Sequence, residues 1–358
     1  MKRTGSRIVV LVMMLSFYTS CTKEEYTRVE ESPVVVDLTQ VPYPKLSDYK
    51  FFEGDLKNQK PSYGVIPYKP ISELFTDYAQ KKRFVWLPNG TKAVYNSDGN
   101  VLNLPVGAAL IKNFFYTNVQ PNNSTRIIET RIMIRKNNEW IFAEYAWNED
   151  QSEAFLTTQR SETTISWRDE TNVIRTINYK IPSVTLDCIR CHGLLNGERE
   201  PIGIKPQNIN SNFSYSTGTK NQLQKLIEFG YLEDNLPNTI TTVVDYKDAT
   251  KPIDVRVRSY FDSNCAHCHK DGGEAEHFSL RFAFNQTSDI ENMGVSMPAE
   301  HSLAGYNGRI VYPNNVNQSI LHYRVNTETD NFYMMPPLGR TIKHAEGVQL
   351  IEDWINSL

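Results

Sequence analysis

The chain carries two copies of the pentapeptide Cys-x-x-Cys-His, which restrict its possible structure more than any other feature. The first copy, Cys-Ile-Arg-Cys-His, occupies residues 188–192, and the second, Cys-Ala-His-Cys-His, occupies residues 265–269. Two thiols three positions apart can each add to one vinyl group of a haem, and the adjacent imidazole can then ligate the iron. The two motifs therefore predict two covalently attached haem c groups.

The four thiols of the motifs are the predicted attachment residues: Cys188, Cys191, Cys265 and Cys268. The imidazoles that follow them, His192 and His269, are the predicted iron ligands. A Cys-x-x-Cys pair is also typical of half a zinc site or of a redox dithiol, and the two pairs together could supply four zinc ligands. Zinc does not require a histidine directly after the second cysteine, so the repeated histidine favours haem.

The N-terminus predicts export. A basic segment at residues 2–7 precedes a short apolar run at residues 8–17, and small residues then lead to Cys21. A run of this length is typical of a signal peptide and not of a membrane span. We therefore expect residues 1–20 to be a signal peptide. The tetrapeptide that ends at Cys21 is similar to a bacterial lipobox, with Tyr at the usual Leu position, and predicts lipidation of Cys21. The alternative is an ordinary secretory peptide in which Cys21 is incidental.

Export agrees with the haem prediction, because bacteria attach haem c outside the cytoplasmic membrane. The polar residues 21–45 are expected to form a lipidated flexible tether. No other apolar run reaches the length of a membrane span. The expected location is the cell envelope, at the outer membrane or facing the periplasm, with the lipid anchor as the contact with the membrane.

The overall composition excludes one class of partner. Hydrophobic residues make up 40% of the 358 residues and charged residues 22%, as in ordinary globular proteins. The formal net charge is -3 and the isoelectric point is about 6.2, so no basic footprint for nucleic acid is present. Redox proteins are the expected partners, and the oligomeric state is left open.

Local patterns predict an α+β chain. Residues 46–182 contain short β-favouring runs between turn residues, which predicts an antiparallel, sandwich-like β-rich domain. Residues 183–250 form a first haem-binding segment. Residues 251–358 are predicted to be an α-helical, cytochrome c-like domain with the second haem. In that domain one helix leads into the motif and another runs from His344 to about Ser357.

The segment Met-Met-Pro-Pro-Leu-Gly at residues 334–339 lies after the second motif and before the terminal helix. A methionine presented by such a Pro-stiffened loop can be the sixth ligand of a haem iron. We predict Met335 as this ligand of the second haem, with Met334 in reserve. Alternatively, both methionines fill core space.

The sixth ligand of the first haem is not assigned by the sequence. Between His192 and Tyr260 there is no methionine and no second histidine. Six more distant donors are considered: Met133, Met293, Met297, His277, His301 and His322. If the sixth coordination position of its iron is open, the first haem could bind a small ligand or peroxide.

Several further strings carry a family resemblance. They include Leu-Ser-Asp-Tyr at 46–49, Lys-Arg-Phe-Val-Trp-Leu-Pro at 82–88, Tyr-Ala-Trp-Asn at 145–148 and Met-Pro-Pro-Leu-Gly-Arg at 335–340. Together with the motifs they resemble a family of exported dihaem c-type cytochromes of Gram-negative bacteria, over nearly all of the mature chain. The resemblance implies haem c at both cysteine pairs and a role in electron transfer.

The expected function is that of a dihaem c-type cytochrome lipoprotein that relays electrons in the bacterial cell envelope. An electron-transfer protein is favoured over an enzyme. The alternative is a dihaem peroxidase-type enzyme with an open first haem, although a large β domain is not expected of that class. A third class, a binding protein for an extracellular ligand, has no recognition motif to support it.

Overall fold

Eight antiparallel strands dominate the computed structural model of the chain, which describes residues 31–137 and 139–358. The strands are β1 (Ile66–Tyr68), β2 (Gln80–Trp86), β3 (Ala109–Val119), β4 (Ser124–Arg135), β5 (Trp140–Trp147), β6 (Ala154–Thr157), β7 (Ser161–Arg168) and β8 (Ile174–Ile181). They form one sheet in the order β1-β2-β3-β4-β5-β6, and β7 pairs with both β3 and β8.

Side chains alternate along each strand between the two faces of the sheet, and the two faces carry different residues. In the β4–β5 ladder, Ile132 pairs with Ala143 and Met133 pairs with Phe142. Since successive side chains of a strand point to opposite faces, the first pair lies on one face and the second pair on the other.

The first face is covered by the chain that precedes β1. Tyr43 and Tyr49 pack there with Phe84 and Tyr145 in one hydrophobic cluster. The hydroxyl of Tyr145 lies 3.0 Å from that of Tyr49 and donates to the carbonyl of Tyr43 at 2.7 Å. This segment of the chain is therefore part of the core.

The second face carries the elements that follow the sheet. The short helices are α1 (Ile189–His192), α2 (Pro206–Ile209) and α3 (Gln222–Glu228), and a small hairpin is formed by β9 (Asn212–Tyr215) and β10 (Gly218–Asn221). Leu223 and Leu226 of α3 pack in one cluster with Leu110 and Trp140 of the sheet. The first Cys-x-x-Cys-His motif also contacts this face, where His192 packs against Phe142 of β5.

Three helices surround the second motif: α4 (Ile253–Asn264), α5 (Ile320–Asn326) and α6 (Ala345–Ser357). Phe261 of α4 and Ile351 and Trp354 of α6 are buried in one cluster. The rings of Phe261 and Trp354 meet edge to face at 5.8 Å between centroids. The predicted C-terminal helix is confirmed, because its apolar residues at helical spacing face α4.

The fold class expected from the sequence is wrong. One large antiparallel sheet dominates the described residues where a sandwich-like domain was expected. The expected α-helical cytochrome c-like haem region is also not extensive, since the six described helices are short and the longest has 13 residues. Most of residues 265–319 are turns and loops. Gly294 and Gly308 adopt φ angles of +84° and +74° there, which an α-helix excludes.

Among residues 31–137 and 139–358, no helix is both long enough and apolar enough to cross a membrane. The predicted signal peptide at residues 1–20 and the predicted lipidation site Cys21 lie outside the described residues.

Candidate functional site

The two Cys-x-x-Cys-His motifs contact each other. The backbone N–H of Leu195 donates to the carbonyl of Gly272 at 2.8 Å. The Arg190 guanidinium lies 2.6 Å from the Glu274 carboxylate, and the Sγ atom of Cys268 lies 3.9 Å from the Arg190 carbonyl. Segments far apart in the sequence thus form one site, which the sequence alone did not predict.

Cys188, Cys191 and His192 all line a cavity of about 710 Å³, called here the first cavity. Residues of β2 to β5 form one side of it, the sheet wall. Residues between 331 and 341 form another side, the loop wall. The volume is in the range of sites that hold a cofactor or a similar organic ligand.

The orientation of His192 leaves one ring nitrogen available as a ligand. Its Nδ1 lies 2.9 Å from the carbonyl oxygen of Glu200, so a protonated Nδ1 donates to that oxygen and Nε2 keeps its lone pair. The ring packs against Phe142 of the sheet wall at 4.9 Å between centroids. Burial lowers the pKa of His192 to about 3, so the imidazole is neutral at neutral pH, as a metal ligand must be.

Cys265, Cys268, His269 and Met335 line a second cavity of about 130 Å³, which shares Arg340 with the first cavity. Its lining is mainly apolar, and His269 meets the ring of Phe282 edge to face at 5.2 Å. Burial lowers the pKa of His269 to about 4, so this imidazole is also neutral at neutral pH. The Nδ1 of His269 is buried and has no hydrogen-bond partner among the described residues.

Met334 and Met335 are neighbours in the chain but line different cavities. Met334 lines the first cavity and Met335 the second. The structure therefore brings Met335 into the same cavity as His269. A sixth ligand of the second haem would have to lie in that cavity. Whether Met335 ligates iron stays a prediction.

The six donors that the sequence offered as sixth ligands of the first haem do not all line the first cavity. Met133 lines the first cavity from the sheet wall, where it pairs across strands with Phe142, the residue against which His192 packs. His301 lines the second cavity. The other four line neither cavity: Met293, Met297, His277 and His322.

Two donors not considered for the first haem do line the first cavity. They are Met334, on the loop wall, and His267, inside the second motif. The Nδ1 of His267 is buried without a partner among the described residues. Two features of the sequence could have identified these donors: Met334 is adjacent to Met335, and the second motif contains an extra histidine. They indicate ligands for the first haem only once the two motifs are known to touch.

A row of charged side chains crosses the sheet wall. Arg83, Lys112, Arg131 and Glu144 are paired in register from β2 to β5, and all line the first cavity. Arg131 lies 3.1 Å from the Glu144 carboxylate and donates to Glu129 at 2.5 Å. Burial, and next the neighbouring Glu129, raise the pKa of Glu144 well above its usual value.

One group of side chains could also hold a metal ion directly. The ligand atoms of Cys191, His267 and Cys268 lie within 4.8 Å of one another. The hydrogen bond with Cys268 lowers the pKa of the Cys191 thiol, which favours the thiolate that a metal would bind. This group combines one thiol from each motif, so its existence depends on the same contact between the motifs.

No family model, no curated protein and no solved structure matches the chain.

Proposed function

We propose that this chain is an exported dihaem c-type cytochrome that relays electrons between redox partners in the bacterial cell envelope. The observation that carries the proposal is the contact between the two Cys-x-x-Cys-His motifs. Two one-electron carriers exchange electrons only when they are close, and motifs that touch would hold their cofactors as neighbours.

The residues of each motif fit a covalently attached haem. Cys188 and Cys191 line the first cavity with His192, whose Nε2 is left free by the hydrogen bond of Nδ1 to Glu200. The second motif lines a mainly apolar cavity together with Met335, so both a thioether and an imidazole are present there. A bound haem supplies reversible one-electron chemistry, and a methionine ligand favours a higher potential than a second histidine.

Exposed apolar side chains beside the first motif support docking of a redox partner. Leu186 is 58% exposed, Ile189 is 37% exposed and Leu195 is 68% exposed. Large apolar side chains left on a surface are typical of interaction sites. We expect electrons to be exchanged with partners at this end of the molecule.

The proposed location follows from the N-terminal sequence. A lipid on Cys21 would hold the chain at a membrane while the described residues remain outside the bilayer. Palmitate labelling of the expressed chain and of a Cys21→Ser variant tests this part. Label incorporation that does not depend on Cys21 would refute the lipoprotein assignment.

A dihaem peroxidase-type enzyme is the second candidate, and the difference between the cavities favours it. The first cavity, at about 710 Å³, is much larger than the second, at about 130 Å³. It also contains Glu144, a buried carboxyl group that can supply a proton. An open first haem with room for peroxide would use both features.

Mass spectrometry of the exported protein tests the cofactor directly. We expect two covalent haems in the native chain and one in each of the double variants Cys188→Ser/Cys191→Ser and Cys265→Ser/Cys268→Ser. Metal analysis runs in parallel. A chain that carries zinc or copper and no haem would replace this proposal by a metal site at Cys191, His267 and Cys268.

Ligand addition separates the relay from the enzyme. We expect the oxidised and reduced spectra of both haems to be unchanged by cyanide and by peroxide. A high-spin haem that reacts with peroxide would instead support the peroxidase. The Cys188→Ser/Cys191→Ser variant, which keeps only the second haem, shows which haem is responsible.

A further inference from the structure

Arg340 is a buried cation with free hydrogen-bond donors where the two cavities meet. Its side chain is 6% exposed, and it lines both cavities. Its Nη2 donates to the backbone carbonyls of Met335 at 2.9 Å, Thr327 at 3.0 Å and Arg324 at 3.3 Å. Its Nε and Nη1 are buried and have no hydrogen-bond partner among the described residues.

Asp77 is the carboxylate that acts most strongly on the Arg340 guanidinium, but its oxygens already accept other hydrogen bonds. The carboxylate of Asp77 accepts the backbone N–H of Thr341 at 2.7 Å, the hydroxyl of Thr341 at 2.9 Å and the backbone N–H of Ile342 at 3.1 Å. Within the described part of the chain, no carboxylate forms an ion pair with Arg340. A guanidinium stays charged in proteins, and a buried charge without a partner is unfavourable.

Most other cations around the first cavity do have acidic partners. The pairs are Arg83 with Glu73 at 2.9 Å, Arg131 with Glu144 at 3.1 Å, Arg160 with Asp187 at 2.5 Å and Lys205 with Asp262 at 3.3 Å. Lys112 also has no such pair among the described residues, but burial holds its pKa well below the usual value, which disfavours its charged form. Arg340 therefore offers an occupant a buried guanidinium with two unused donor atoms.

We propose that Arg340 binds a carboxylate group where the two cavities meet. Planar guanidinium and carboxylate groups match in geometry, and their hydrogen bonds are strengthened by charge. The inference rests on the proposed function, because haem is the occupant proposed for both cavities and carries propionate carboxylates. Arg340 also holds the carbonyl of Met335, so the carboxylate and the loop that presents Met335 share one anchor.

Potentiometric titration of the intact dihaem protein tests this inference. The midpoint potentials are measured from pH 5 to pH 8 for the native chain, for Arg340→Gln and for Arg258→Gln. Arg258 is the matched control, since it lines neither cavity and its guanidinium already donates to Thr287 and to the Phe284 carbonyl. Its loss should leave both potentials unchanged.

We expect Arg340→Gln to lower at least one potential at pH 8 and to make it rise as the pH falls. Loss of a nearby positive charge favours the oxidised iron, and the released carboxylate then becomes protonated within this pH range. If Arg340→Gln does not fold, Arg340→Lys should show the same change with a smaller size, because an ammonium lacks the planar fork.

The outcomes separate the two proposals. A variant that retains both haems and the native pH profile would overturn the role of Arg340 and leave the cytochrome proposal intact. A native chain without covalent haem would instead remove the cytochrome proposal. Adding acetate distinguishes the source of the carboxylate: a shift of the native potentials that requires Arg340 would overturn the assignment to propionate in favour of a free carboxylate.

Discussion

The guanidinium of Arg190 lies 2.6 Å from the carboxylate of Glu274, and this ion pair joins the two Cys-x-x-Cys-His segments. Arg190 lies inside the first motif, and Glu274 follows the second. The backbone hydrogen bond from Leu195 to Gly272 reinforces the same contact. The ion pair supports the proposed electron relay, because two redox centres in one chain exchange electrons only if the segments that bind them are neighbours.

The ion pair itself should contribute little to stability. Both side chains are about two-fifths exposed, at 41% and 38%, so water and salt screen the attraction. In a double-mutant cycle of Arg190→Gln and Glu274→Gln, we expect a coupling of about 0.2–1 kcal/mol in urea unfolding. A coupling well above this range would show that the ion pair, and not the surrounding backbone contacts, holds the motifs together.

In the proposed dihaem cytochrome, the two neighbouring methionines should act on different haems. Because Met335 lines the cavity of the second motif, Met335→Leu should remove the thioether absorption signature of one haem and lower one potential. Met334→Leu is the matched control for that haem, since Met334 lines the other cavity. Visible and near-infrared spectra with redox titration measure both effects. Loss of the second haem's signature in Met334→Leu would exchange the two assignments.

Glu144 should make the folded chain less stable as the pH rises. Its pKa is raised by burial in the folded state, so the folded chain binds more protons than the unfolded chain above the unfolded pKa of 4.5. Stability from this group is therefore full below pH 4.5 and falls as the pH rises towards the folded pKa, with a slope of at most about 1.4 kcal/mol per pH unit.

Urea unfolding between pH 4 and pH 8 measures this slope. Glu144→Gln should remove the decline and should be more stable than the native chain at the upper end of the range. The control is Glu149→Gln, because the side chain of Glu149 is 86% exposed. Parallel profiles for the native chain and Glu144→Gln would contradict the raised pKa of Glu144 in the folded chain.

Gly347 in α6 should not tolerate a methyl group. An added Cβ would lie 2.5 Å from Cζ of Tyr260 and 2.7 Å from Nδ1 of His344. These two side chains are hydrogen bonded to each other at 3.1 Å, so neither can easily move. We expect Gly347→Ala to destabilise the chain by about 1–3 kcal/mol, although alanine favours a helix by about 1 kcal/mol.

The control for Gly347 is a glycine with open space. An added Cβ at Gly203 meets no heavy atom within 4 Å, and its φ is not in the left-handed region. Gly203→Ala should be neutral or stabilising by up to about 1 kcal/mol. Thermal unfolding of both variants gives the comparison. Equal stability of the two would show that Tyr260 and His344 can move apart.

Features that depend on a few consecutive residues could be predicted from the sequence, and several helices and strands agree with those predictions. The β-favouring runs within residues 46–182 predicted short strands, of which β5 is one, and the periodicity after His344 predicted the helix confirmed as α6. The Cys-x-x-Cys-His motifs are also local patterns. Each prediction depends on a few consecutive residues, which is why it needs no knowledge of the rest of the fold.

The assembly of these elements could not be predicted in the same way. Alternation along a strand shows which residues share a face, but not which strands pair, so the single eight-stranded sheet was missed. Sequence patterns did propose the residues that attach the haems, and Met335 as an iron ligand. Only tertiary packing decided that the motifs touch, that Met334 and Met335 line different cavities and that Arg340 lines both, because these are contacts between residues far apart in the chain.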